Sequence, residues 1–97
     1  MKSYNLSLFR RALIDKRDTL QVEYEEAEET DCLAWRIYEG LDEATYSANA
    51  RHYDKIVEET SEHVKRLCEQ IASLEDAIIH AERLENEIKF LEEEGLI

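Results

Sequence analysis

Apolar residues recur every seven positions through the second half of the chain. Ala50, Val57, Val64, Ile71 and Ile78 form one series, and Tyr46, Tyr53, Thr60, Leu67, Leu74, Ala81 and Ile88 form another. Paired series of this kind make the a and d seam of a coiled coil and predict a helix from about residue 43 to 94, roughly 78 Å long at 1.5 Å per residue. Leu84 and Leu91 fall one position early for the first series, which predicts a change of packing partner at that end. The first half is thinner. Leu6, Phe9, Leu13, Leu20, Tyr24 and Ala27 keep helical spacing behind Ser3 or Asn5 as cap, and predict a helix from about 5 to 39. Leu33, Ala34, Trp35, Ile37 and Tyr38 then form a dense apolar patch where two antiparallel helices would close, with Trp35 as its aromatic anchor.

The corner is marked at residues 40–42. Gly40 suits the left-handed residue that ends a helix, Asp42 suits the cap of the next, and Leu41 is placed to staple onto Tyr46. Ser47-Ala48-Asn49 is the weakest stretch after the corner and predicts a break near 47–50. Gly95 should end the last helix, leaving Leu96 and Ile97 to fold back or meet a partner, while the acids before it oppose the helix dipole.

The expectation is an all-α fold: one helical domain over residues 1–97, a long antiparallel hairpin like a coiled coil. Because the first helix is shorter than the second and its face is thin, one end of the long helix would need a second chain, so a homodimer is expected. Composition agrees, with 97 residues, no proline, two glycines and 37% charged residues. Cys32 and Cys68 lack CxxC spacing and read as buried thiols in a reducing, cytoplasmic setting. No run is apolar enough for a membrane span, and residues 1–22 lack the apolar centre of a signal peptide.

Charge changes the picture most. The formal net charge is −12, which opposes direct contact with nucleic acid or an anionic membrane and calls for a protein partner with a basic surface. It is unevenly spread: residues 1–22 hold five bases and two acids, 23–47 one base and nine acids, and 48–97 six bases and thirteen acids. The bases Lys2, Arg10, Arg11, Lys16 and Arg17 are expected to pair with acids of a neighbouring helix. The densest acidic run, Glu23, Glu25, Glu26, Glu28, Glu29 and Asp31, places six carboxylates in nine residues, and their mutual repulsion costs a few tenths of a kcal/mol per i, i+4 pair. The plain reading is a solvated helix face. The sharper one is a row of carboxylates that imitates nucleic-acid phosphates, extended along the second helix by Glu58, Glu59, Glu62, Glu69, Glu75, Asp76, Glu82, Glu85 and Glu87.

Catalytic chemistry finds little support. His52 and His63 are roughly 16 Å apart along a helix, too far to share a metal, and His80 is farther still. Glu59 and His63 read as a surface pair at i, i+4. No catalytic residue, metal or cofactor is expected, and a helical hairpin has little concavity in which to build a site.

One segment carries a resemblance. Ser47-Ala48-Asn49-Ala50-Arg51-His52-Tyr53, followed by Ile56 and Glu58-Glu59, resembles the start of a helix in phage lambda Gam-type inhibitors of host recombination nucleases. It covers about a dozen residues of 97; the first forty residues and the C-terminal third do not follow the family. The resemblance implies a small helical dimer that keeps DNA out of a nuclease in a host cytoplasm, with Arg51, His52 and Tyr53 on the inserting helix. The leading expectation is a non-enzymatic acidic inhibitor or regulator of a nucleic-acid-processing protein. The alternative is a coiled-coil adaptor, chaperone or assembly factor whose Leu84, Ile88, Phe90, Leu91, Leu96 and Ile97 meet a partner helix.

Overall fold

The computed structural model describes residues 3–96, and they form three helices: α1 (Ser3–Glu39), α2 (Glu43–Ala48) and α3 (Ala50–Glu93). Lys2 and Ile97, both named above, lie outside the described residues. No helix among them is long and apolar enough to cross a membrane.

The chain divides into two units. The first joins Met1–Leu20 to Gln70–Ile97 and the second is Gln21–Glu69. In the first, Ser3 meets Glu92 and Arg10 meets Glu85, so α1 and α3 run antiparallel there. In the second, Asp31 meets Thr60 and Tyr38 meets Asp54, again antiparallel. The fold is an all-α helical hairpin.

All twelve seam positions read from the second half are buried or half-buried. Along α1 the covered residues other than Ser7 and Ile14 also fall into two rows seven apart. Leu6, Leu13, Leu20, Ala27 and Ala34 form an apolar row, while Ser3, Arg10, Arg17, Tyr24, Asp31 and Tyr38 form a row of polar and aromatic residues that apolar periodicity does not reveal. Phe9, assigned to the core from its spacing, lies outside both rows and is 57% exposed.

The polar row explains why α3 keeps its partner. The first α3 series continues past Ile78 to Glu85 and Glu92, so the two leucines that sit early do not mark a change of neighbour. Arg10 donates from Nε to Glu85 Oε2 at 2.7 Å, and Glu85 is only 7% exposed, so it joins the two helices and does not belong to the outward row of acids expected on α3. This contact holds the Glu85 carboxyl below its ordinary value of 4.5, the hydrogen bond from Arg10 outweighing partial desolvation. Ser3 donates its backbone N–H to Glu92 Oε1 (3.0 Å) and its hydroxyl to Glu92 Oε2 (2.8 Å). An acid that opposes the dipole of its own helix end thus satisfies the first turn of α1. The partners of α1 include Glu92, opposite Ser3 in the first unit, and Asp54, opposite Tyr38 in the second.

Removing one member of the Arg10–Glu85 pair leaves the other desolvated, whereas replacing both with apolar residues does not. Arg10→Met should therefore lower the melting temperature more than the double change Arg10→Met with Glu85→Leu. Because the Glu85 pKa is lowered on folding, its contribution is complete above 4.5 and fades as pH falls through the lower folded value. The difference in melting temperature between wild type and Glu85→Gln should shrink over that range; a constant difference would show that the carboxylate charge is idle.

The corner departs from expectation at Gly40. Its φ is not positive; its N–H is shared between the carbonyls of Arg36 (3.2 Å) and Ile37 (3.1 Å), and Leu41 donates to Tyr38 (3.3 Å), so α1 closes by tightening its last turn. Asp42 then caps α2, its carboxylate accepting from the Thr45 N–H at 2.7 Å, which lowers its pKa. Asn49 separates α2 from α3: its N–H donates to the Tyr46 carbonyl, and its own carbonyl accepts from His52 and Tyr53. At the other end Gly95, with φ +72°, makes a Schellman turn in which Leu96 donates to Leu91 (2.9 Å) and Gly95 to Glu92 (3.1 Å).

The two glycines should respond oppositely to alanine. At Gly40 a new Cβ meets only carbonyl oxygens at 3.4 and 3.6 Å, so Gly40→Ala should be neutral or stabilise by about 0.4–1 kcal/mol through the unfolded chain. At Gly95 nothing lies within 4 Å, but the positive φ costs a side chain about 1–2 kcal/mol, seen as faster amide exchange over the last turn of α3. A destabilising Gly40→Ala in thermal melts would contradict the closure described.

Candidate functional site

The acidic run lies on α1 within the second unit. Tyr24 and Ala27 take the side facing α3, and at 100° per residue Glu23, Glu25, Glu26, Glu28 and Glu29 occupy the remaining arc, all five exposed. The ion pairs among the described residues are Arg10–Glu85, Arg17–Asp18, Lys55–Glu59 and Arg66–Glu62, so none of these five glutamates has one. Of the expected pairings between the basic segment and a neighbouring helix, only that of Arg10 is made; Arg17 turns to its own neighbour Asp18. Tyr24 registers the field of the run, its phenol raised first by the Glu28 carboxylate and then by burial.

Asp31 departs from the group. It is half-buried, and its Oδ1 accepts from the hydroxyls of Thr60 (2.8 Å) and Ser61 (2.9 Å) on α3. Ser61 in turn accepts from Trp35 Nε1–H at 2.9 Å. Asp31 therefore joins the helices instead of facing outward, because it falls in the polar row of α1. A second bridge lies nearby. Asp54 accepts from the hydroxyls of Tyr38 (2.7 Å) and Tyr46 (2.8 Å), and the Trp35, Tyr38 and Tyr46 rings stack edge to face. These bonds to Asp54 and Tyr46 raise the Tyr38 phenol well above its ordinary range.

The other partner-binding candidates are dispersed. Arg51 and His52 are exposed on the first turn of α3. Glu58, Glu59 and Glu62 are exposed farther along, with Glu59 3.8 Å from Lys55, not paired with His63, and Glu62 3.9 Å from Arg66. Such exposed pairs hold their charges weakly. No group of three or more His, Cys, Asp or Glu among the described residues is placed to hold a metal. Cys32 and Cys68 are free and exposed, not buried, since both fall outside the seam rows.

The apolar patch before the corner is also turned outward. Leu33, Ile37 and Ile56 are 53%, 55% and 51% exposed and line a hollow of about 300 Å³ between α1 and α3, with Tyr53 and Val57 at its floor. A second hollow of about 300 Å³, lined by Glu23, Glu26 and His63, shares Thr30 and Thr60 with the first. The sequence named these side chains but assigned the apolar ones to the closure of the hairpin; the signal was their position on the flank of the seam. At the other end of α3, Leu84, Ile88 and Leu91 are half-buried while Phe90 and Leu96 are exposed. Comparison of the chain with protein-family models, with curated proteins and with solved structures returns no match.

Proposed function

We propose that this chain is a non-enzymatic acidic inhibitor that occupies the basic nucleic-acid surface of a nucleic-acid-processing protein. The supporting observation is that Glu23, Glu25, Glu26, Glu28 and Glu29 all face outward and carry no ion pair among the described residues. Their mutual repulsion is left uncompensated internally and is relieved by cations of a partner. An acidic arc on a stiff helix offers charge without the flexibility of a tail, so little ordering is needed on binding. The adaptor reading is weaker, because Leu84, Ile88 and Leu91 are partly covered within their own chain.

The Gam-type resemblance of residues 47–59 nominates a host recombination nuclease as the first partner to test. The protein should displace fluorescent duplex DNA from that enzyme in an equilibrium competition, with DNA and protein binding mutually exclusive. A ternary complex, or no displacement at saturating protein, would overturn the proposal.

A further inference from the structure

We infer that the groove between α1 and α3 in the second unit receives an amphipathic helix of the partner, with apolar anchors at one end and lysine or arginine at the other. The inference rests on the acidic-inhibitor reading and adds how the partner is held. The feature is the apolar hollow itself, where Leu33 and Ile37 from α1 and Ile56 from α3 stand about half exposed around a depression of about 300 Å³. Three such side chains on the flank of a two-helix seam form the slot into which a third helix packs. The adjoining hollow changes character: Glu23 and Glu26 line it with His63, and neither glutamate has a cation. Ile37 and Glu23 are fourteen residues apart on α1, roughly 21 Å, so one helix of about four turns spans both.

Charge decides the occupant. Three half-exposed aliphatic side chains fall far short of the about 800 Å² per partner that a stable interface buries, so apolar contact alone does not hold a second copy here. A second copy with net charge −12 approaches Glu23 and Glu26 against overall repulsion, and Arg10 and Arg17 of its basic segment are already paired, whereas a basic helix supplies both the anchors and the counter-charge.

The probe is a fluorescein-labelled helical peptide of about 18 residues, with leucines on one face of its first two turns and lysines on the same face of its last two. Anisotropy titration with the full-length protein should show binding that weakens at least tenfold when the lysines become glutamates. The exposed double change Ile37→Gln with Ile56→Gln, and separately Glu23→Gln with Glu26→Gln, should each weaken it by a similar factor while the circular dichroism stays unchanged. Equal binding of the lysine and glutamate peptides, or no effect of Ile37→Gln with Ile56→Gln, overturns the inference. A dimer in sedimentation that this double change dissociates, with no peptide bound, assigns the groove to a second copy and also overturns it. DNA displacement separates the two claims. If Ile37→Gln with Ile56→Gln displaces DNA as well as wild type while reversal of the acidic run does not, the groove falls and the inhibitor reading stands. If the peptide binds as described and wild type displaces no DNA, the inhibitor reading falls and the groove stands.

Discussion

Ile71→Asp combined with Ile78→Asp should abolish the cooperative thermal transition, while Ile79→Asp leaves it in place. Ile71 and Ile78 are buried in the seam at 8% and 5% exposure, and Arg17, the α1 base one repeat after Arg10, is already bonded to Asp18. An unpaired buried charge costs several kcal/mol, and two such costs match or exceed the about 5–15 kcal/mol that holds a domain together. Ile79 follows Ile78 directly yet is largely exposed, so the same substitution there changes only surface charge. Circular dichroism at 222 nm against temperature distinguishes the two. A sharp transition retained in the Ile71/Ile78 variant would mean that the rows assigned to the core do not carry it.

Reversing Glu25, Glu26, Glu28 and Glu29 to lysine should weaken displacement of DNA from the recombination nuclease on the order of 100-fold, through lost attraction and new repulsion. None of the four has an internal ion pair, and a lysine run repels itself as a glutamate run does, so helix content and melting temperature should stay close to wild type. Four reversals of two charges each move the formal net charge from −12 to −4. Reversal of Glu69, Glu75, Asp76 and Glu82, all exposed on α3, produces the same net charge at a different place. That control should retain displacement to within about tenfold. If both variants lose activity equally, overall charge and not the α1 run is responsible.

The seam of α3 was legible because every position in it is apolar, or is a threonine or tyrosine with enough apolar surface to pack, until Glu85 and Glu92 take over the first series. The corner was legible through Asp42, whose side chain has one local partner, the Thr45 N–H. The facing row of α1 was not. Asp31 reads as an outward residue, and Arg10 as a base with no particular acid, until their partners Thr60, Ser61 and Glu85 are known, and those partners are decided by the register of one helix on the other. Gly40 was misread because a helix can also close through a tightened last turn that needs no positive φ. The acidic run stood out in sequence, but the inward turn of Asp31 and the outward turn of Leu33 and Ile37 depend on a seam that the apolar pattern of α1 defines poorly.

The central claim is that carboxylates of α1 take the place of nucleic-acid phosphates on a basic surface. Its most direct test is the salt dependence of the affinity between this protein and the recombination nuclease, measured by equilibrium titration from about 0.1 M to physiological ionic strength. Exposed charges are screened over about 8–10 Å under these conditions, so the affinity should fall steeply with salt and the four-lysine variant should lose most of that slope. An affinity that holds constant across the range, with wild type and variant alike, would contradict the account.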